Sequence, residues 1–337
     1  MASLIGIDIG MNNCKIALHD GRGYRLVSSR MPENMIDTGH KIAAPEALAN
    51  FLSDLRKSER IRDKNCILIL AESEVFFRHV TLPKMSAEEV ELNLPYEFRD
   101  FITGDPSEYN YDYLVDELPV DENGNVTQLE LFAAATEKKR VDTYAEIMRK
   151  AGMRLKAVIP AQLAYSRLIT NYAENVEPDH HERDLILVDI GHDEVVVSLL
   201  HGSHFEASRV IDFGCNEFDN AIADIKGIDP YTAGSYKYTN FEGVLDTPEC
   251  MSVCDRLSVE INKVINFYNF NNPDMTIEQM YFMGGGAQIP QLTSTISDAA
   301  AIPASSIVEL LPQEAQSDPN CPVCALAIGG CFEGEAM

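Results

Sequence analysis

Residues 4–10 read LIGIDIG and residues 185–191 read LILVDIG, and this repeat decides the fold. Aligned without a gap, it places Asp8 on Asp189. Each copy continues as two further β-rich runs, which are CKIALHDG and YRLVSS in the first copy and VVVSLLHG and HFEASRVI in the second. Two copies of one β-meander predict two similar α/β domains. The turn after the first strand of each domain should face the cleft between them, where ligands usually bind.

Composition limits the partners of the chain. Its 337 residues carry 27 Lys and Arg against 53 Asp and Glu, a formal net charge of -26. Such a surface repels phosphate backbones, so we expect no nucleic-acid partner. No apolar run reaches the roughly 18 residues of a membrane span. The start, MASLIGIDIG, is typical of a strand rather than a signal peptide. We therefore expect a cytoplasmic protein without direct membrane insertion.

The eight cysteines allow two interpretations. Buried thiols are the simpler one, because cysteine behaves as a small apolar residue in reducing compartments. The alternative is a four-ligand zinc site built from two closely spaced pairs, Cys250 with Cys254 and Cys321 with Cys324. The second pair is interrupted by Pro322 and opens an apolar run, which favours thiols.

The two turns have the residue types that hold a magnesium-bound triphosphate. Mg²⁺ takes one or two carboxylates besides phosphate oxygens and water, which suits Asp8 and Asp189, most simply with water between. Their alternative role is turn formation or capping. Successive amides can bind phosphate, and a nearby lysine can add a point charge. The candidates are Gly10, Met11, Asn12, Asn13 and Lys15 in the first turn, and Gly191, His192 and Asp193 in the second.

A triple glycine provides the third element of a nucleotide site. Gly284, Gly285 and Gly286 follow the strand MYFM and precede a helix start. Glycine allows a ligand to approach the main chain and the helix N-terminus closely. We therefore predict that this turn contacts the nucleoside.

Together these segments resemble the actin-like ATPases. LIGIDIGMNNCK and LILVDIGHD are similar to their two phosphate motifs, and YFMGGGAQIP is similar to their adenosine motif. The resemblance implies an α/β, actin-like (ribonuclease-H-like) two-domain fold with duplicated β-meander domains, binding ATP and Mg²⁺. It also implies that Glu260 and Lys263 border the adenine. Gln162 falls where actin carries a water-orienting glutamine; a solvent-facing helix residue is the alternative.

The segment 79–165 resembles the PilM family of type IV pilus assembly proteins. HVTLPKMSAEEVELNLPYEFRDFI, an acidic strand and LFAAATEKKRVDTYAEIMRKAGMRLKAVIPAQLA are similar to that family throughout. The resemblance implies a subdomain inserted into domain I. It also implies a scaffold, associated with the membrane through the cytoplasmic tail of a PilN-like inner-membrane protein and thereby linked to a pilus assembly platform. The expected groove for that tail runs from about Phe77 to Phe101, with Leu82, Pro83, Met85 and Tyr96 as first candidates.

The implied division of the chain follows the same resemblance. Domain I core comprises 1–82, 156–175 and 320–337, with 83–155 inserted. Domain II core comprises 176–215 and 250–319, with a small subdomain at 216–249. Two other functions of the same fold are an FtsA-like cell-division protein and a small-molecule kinase. The chain lacks the basic amphipathic end of the first and a visible catalytic aspartate of the second. Slow ATP turnover and binding alone both fit the residues.

Overall fold

The computed structural model describes residues 4–120, 122, 124–273 and 275–332. The ends of the predicted domain I core, 1–3 and 333–337, lie outside them. The strands are β1 Leu4–Ile9, β2 Asn13–His19, β3 Tyr24–Arg30, β4 Ile36–Asp37, β5 Lys41–Ile42, β6 Asn65–Leu70, β7 Phe76–Pro83, β8 Tyr109–Glu117, β9 Gln128–Glu137, β10 Arg154–Pro160, β11 Asp184–Ile190, β12 Val195–His201, β13 His204–Ile211, β14 Ile277–Met283 and β15 Ala304–Ser306. The α-helices are α1 Pro45–Ser58, α2 Ala87–Glu97, α3 Lys138–Lys150, α4 Ala161–Asn175, α5 Asn216–Lys226, α6 Pro230–Thr239, α7 Pro248–Asn271, α8 Pro290–Ala300 and α9 Ala325–Gly329.

Two five-stranded sheets share one topology. The first has the order β10-β6-β1-β2-β3 and the second the order β13-β12-β11-β14-β15. In each, the first three strands form an antiparallel meander, and a later strand joins the first strand in parallel. The meander predicted from the repeat is thus present twice. Asp8 and Asp189 lie at equivalent places, near the carboxyl ends of β1 and β11.

Helices cover both faces of the first sheet, which explains its almost continuous apolar strands. On one face, side chains of β1 and β6 form a buried cluster with α1 and α3. On the other face, α4 and α9 pack between the two sheets. A Cβ at Gly6 would lie 1.9 Å from Ala327 O, so only glycine permits this approach of α9 to β1.

The inserted unit is a separate three-stranded sheet, β7-β9-β8, covered by α2. The acidic strand β8 lies at its edge. Within this sheet, β7 pairs with β9 from Phe76 onward. By contrast, α3 packs against α1 and β10 pairs with β6, so both contact elements of the first five-stranded domain. The domain boundaries stay a prediction, and this pairing favours an inserted unit of 76–137 over 83–155.

The polar stretch after α5 contains the helix α6, because Asp229 caps its N-terminus by accepting from the Thr232 amide and Pro230 fits the first turn. The segment that begins at Cys321 is a 3-10 turn, Cys321–Val323, followed by the short α9.

Candidate functional site

A cavity of about 270 Å³ lies between the two sheets, and both predicted phosphate turns line it. The predicted nucleotide and metal residues that it collects are Asp8, Gly10, Met11, Asn12, Asn13, Lys15, Asp189, Gly191, His192, Asp193, Gly284 and Gly285. The turns from both copies of the repeat therefore line one cleft.

The two turns have the same backbone hydrogen bond. The Gly10 amide donates to Asn13 O at 3.0 Å, and the Gly191 amide donates to Glu194 O at 2.9 Å. A Cβ at Gly191 would lie 2.7 Å from Glu194 O, so the turn requires glycine. Each meander thus presents a tight, equivalent corner to the cleft.

Asp8 and Asp189 differ in their surroundings. Lys15 Nζ donates to Asp8 Oδ2 at 2.9 Å, and the Tyr165 hydroxyl donates to Asp189 Oδ2 at 3.3 Å. Burial, with the like charge of Asp8, raises the pKa of Asp189 to about 6 despite the opposing charge of Lys15. Burial disfavours the charged form of Lys15, but Asp8 and Asp189 hold its pKa above the usual value. A cation that joined the two carboxylates would relieve their repulsion, so the pair fits Mg²⁺ together with phosphate oxygens.

The glycine turn after β14 packs directly against the second phosphate turn. Gly284 has φ +81°, and a Cβ there would lie 2.3 Å from Asp189 Oδ1. A Cβ at Gly286 would lie 2.2 Å from Ile190 Cγ2. Gly284 and Gly285 line the cavity, whereas Gly286 is buried behind it. Glycine is therefore needed at Gly284 and Gly286 for the close packing of this turn against Asp189 and Ile190.

Lys237 is a cleft residue that the sequence did not reveal. It lies on α6 with only 4% of its surface exposed, 2.8 Å from Asp219 Oδ1, and donates to Cys215 O at 3.0 Å. His192 Nδ1 is 3.8 Å from Asp219 Oδ2, and burial lowers the pKa of His192. Together with the neighbouring Tyr238, Lys237 lines the cavity beside the glycine turn.

Glu72 and His40 are two further cleft residues absent from the sequence prediction. The only available signal was the position of Glu72 directly after the buried strand β6 and Ala71, because the carboxyl ends of parallel strands border ligand sites.

Glu260 and Lys263 lie outside the cleft. They form an exposed pair on α7, with Lys263 Nζ 2.6 Å from Glu260 Oε1. Each borders a shallow surface pocket instead. The expected adenine contact does not fit this placement, because the pair spans one helical turn on the solvent side of α7. Lys237, unlike Lys263, lines the cleft.

Gln162 is buried, with 1% of its surface exposed, so the solvent-facing alternative is wrong. Its Nε2 donates to Glu72 Oε2. The cavity wall contains Glu72, Ala161 and Tyr165, and Gln162 stands one layer behind them.

The four partner-groove candidates have different environments. Leu82 is buried in the core of the inserted sheet and Met85 packs against that core. Pro83 is exposed, and Tyr96 is 69% exposed on α2. A separate cavity of about 810 Å³ lies where α1 and α3 meet β8 and β9.

The cysteines are buried thiols, and no group of three or more potential ligand side chains among the described residues could hold a metal ion. In the part of the chain that the structure describes, no helix is both long and apolar enough to cross a bilayer.

A family model described as type IV pilus assembly protein PilM matches residues 6–318. Among solved structures, the chain is similar to one described as the PilM-PilN type IV pilus biogenesis complex, with a TM-score of 0.80 and 23% identity over 97% of both chains. It is similar to the ethanolamine utilization protein EutJ from Carboxydothermus hydrogenoformans, with a TM-score of 0.59 and 13% identity over 99% of this chain and 90% of that one. It is also similar to MreB5 of Spiroplasma citri bound to ADP, with a TM-score of 0.51 and 11% identity over 98% of this chain and 95% of that one.

The structural likenesses confirm the predicted actin-like, two-domain α/β fold. The family model extends from β1 through the inserted sheet and both cleft turns to the loop before the 3-10 turn at Cys321. The chain therefore belongs to the family of the type IV pilus assembly protein PilM.

Proposed function

We propose that this protein is a cytoplasmic scaffold of a type IV pilus or related assembly machine, which binds ATP with Mg²⁺ and holds the N-terminal tail of a PilN-like membrane protein. The proposed binding of ATP and Mg²⁺ rests on one observation: two equivalent turns, with Asp8 and Asp189, meet at one cavity. The family match and the likeness to a PilM-PilN complex support the pilus half.

In this proposal each group of cleft residues has a distinct task. Gly10 and Gly191 form the two tight turns, the amides of 11–13 and 192–193 bind phosphate oxygens, and Lys15 adds positive charge beside them. Asp8 and Asp189 hold Mg²⁺, most simply through water, and the bound cation neutralises triphosphate charge. Gly284 and Gly285 allow the nucleoside to approach the main chain, beside Lys237 and Tyr238.

Calorimetric titration with Mg-ATP tests the nucleotide half. Wild type should bind, and Asp8→Asn should bind at least about tenfold more weakly because a carboxylate that favours the cation is lost. Asp54→Asn is the matched control, since Asp54 is exposed and pairs with Lys57 along its own helix. Equal affinity of Asp8→Asn and wild type would remove the assignment of the cleft.

For the tail, the structure offers two surfaces. One comprises Pro83 and Tyr96, the exposed members of the predicted groove. The other is the cavity at α1, α3 and the edge strand β8, which includes Lys138, Lys139 and Lys150. An extended peptide can add main-chain hydrogen bonds at such an edge.

A peptide with the first residues of the organism's own PilN-like protein tests the partner half. Saturating peptide should raise the melting temperature by linkage, and an equal concentration of scrambled peptide should not. Tyr96→Ala and Lys139→Glu then distinguish the two surfaces, since only the variant on the occupied surface should weaken binding. No shift with the authentic peptide would refute the scaffold role.

A further inference from the structure

Glu72 is a partly buried carboxylate in the cleft wall with no role in the proposed binding of ATP and Mg²⁺. It begins a short 3-10 turn, Glu72–Glu74, and only Ala71 separates it from the end of β6 at Leu70. Within the sheet, β6 pairs in parallel with β1, and Ile69 is the register partner of Asp8. Glu72 therefore stands at the same edge of the sheet as Asp8, where the carboxyl ends of parallel strands meet.

Both domains hold this carboxylate in place. Gln162, on α4, donates to Oε2, and Ser208, on β13 of the second sheet, donates its hydroxyl to Oε1. An ionised carboxylate has about four acceptor sites, so two donors leave further lone pairs available. Because Glu72 lines the cavity, a water molecule there can donate to one of them.

The electrostatic surroundings suit proton acceptance. Burial raises the pKa of Glu72, and the like charge of Glu194 across the cleft adds to this effect, while hydrogen bonds from Ser208 and Gln162 oppose it. A carboxylate with a raised pKa is a better base near neutral pH than a solvated one. Its fixed orientation removes the need to order the side chain during reaction.

We propose that Glu72 is the catalytic residue for slow ATP hydrolysis in this cleft, acting as the base that orients and deprotonates the attacking water, and that Gln162 is its positioning residue. This inference rests on the proposed binding of Mg-ATP. The water oxygen bonds to the γ-phosphorus while the bond from that phosphorus to the β,γ-bridging oxygen breaks. ADP leaves with the electron pair, and the water proton passes to the Glu72 carboxylate and then to solvent. Gln162, predicted from the family resemblance to orient the water directly, lies one layer too deep and acts through Glu72.

Glu72→Gln separates this role from a structural one. The amide keeps the size of the side chain and can bond to Gln162 and Ser208, but it cannot accept a proton at neutral pH. Single-turnover hydrolysis with full-length protein should fall by at least about 100-fold. The dissociation constant for Mg-AMPPNP, measured by calorimetry, should stay within about twofold of wild type, because binding and chemistry are separated in this comparison. Glu242→Gln is the matched control, because Glu242 is an exposed glutamate outside the cleft that pairs with Lys226, and it should keep both values near wild type.

Two further variants keep the test decisive if Glu72→Gln folds poorly. Glu72→Asp retains the charge but withdraws the carboxylate by one methylene, and Gln162→Ala removes the positioning donor. Both should slow hydrolysis with little change in nucleotide affinity. The proposal is overturned if Glu72→Gln, or Glu72→Asp where only it folds, hydrolyses ATP within about threefold of wild type. It is also overturned if affinity and rate fall together, or if wild type binds Mg-ATP without hydrolysing it. Failure of wild type to bind Mg-ATP would instead refute the proposed function itself.

Discussion

Replacing Asp189 by asparagine should stabilise the ligand-free protein while removing its response to Mg-ATP. Burial and the like charge of Asp8 raise the pKa of Asp189 from 3.8 to about 6. A raised pKa means that folding disfavours the ionised form. A shift of this size corresponds to roughly 3 kcal/mol, which partial exposure of the side chain reduces to about 1–3 kcal/mol. Asparagine has no charge to desolvate and can still accept from Tyr165.

The sign of the pH dependence follows directly. The stability associated with protonated Asp189 is fully present below 3.8 and is lost as the pH rises through about 6. The advantage of Asp189→Asn over wild type should therefore be greatest at pH 8 and about half as large at pH 5. Urea unfolding followed by circular dichroism at both pH values measures it, and the difference between the two proteins cancels the titration of the other carboxylates they share.

Mg-ATP should reverse this ranking. At about 100 times its dissociation constant, a ligand stabilises the folded protein by about 2.7 kcal/mol. Wild type should gain this stability, and Asp189→Asn, which lacks a proposed metal carboxylate, should not. An advantage of Asp189→Asn that is absent at pH 8, or equal at pH 8 and pH 5, would refute the electrostatic reasoning. An undiminished response of the variant to Mg-ATP would refute the metal role.

Three other substitutions test the packing around the cleft. Gly6→Ala places a Cβ 1.9 Å from a backbone oxygen of α9 and should lower the melting temperature strongly, by an amount equivalent to several kcal/mol. The control Gly39→Ala, with φ +69° and open space around it, should lose only about 1 kcal/mol of stability. Equal losses in the two variants would contradict this packing of α9 on β1. Gly284→Ala adds overlap to its φ of +81° and should weaken Mg-ATP binding as well as stability, measured by calorimetry and thermal melting. Lys237→Met leaves the buried Asp219 without its lysine partner, with an expected loss of about 3–5 kcal/mol in urea unfolding. Adding Asp219→Asn should restore part of this loss, and strictly additive losses would show that the two side chains do not interact.

Local sequence was sufficient for the turns of the site. The Asp-Ile-Gly corners and the triple glycine are short, contiguous motifs, and their physical requirements are local: a tight turn, a close backbone approach and a carboxylate at a strand end. Their duplication at a constant offset then indicated that the two corners face each other. The family resemblance that implied an adenine contact for Glu260 and Lys263 does not fix their placement, because a helical i, i+3 pair has the same spacing whichever side of the helix it occupies.

The sequence by itself determined the two meanders, the acidic edge strand of the inserted sheet and the corners that carry Asp8 and Asp189, since β periodicity and glycine spacing are encoded along the chain. Only the tertiary structure decided that Lys237 enters the cleft, that Gln162 is buried, and that Glu72 is held from both domains. Glu72 and Ser208 are 136 residues apart in sequence. No local pattern encodes a contact of that separation, because it depends on how α4 and the two sheets pack together.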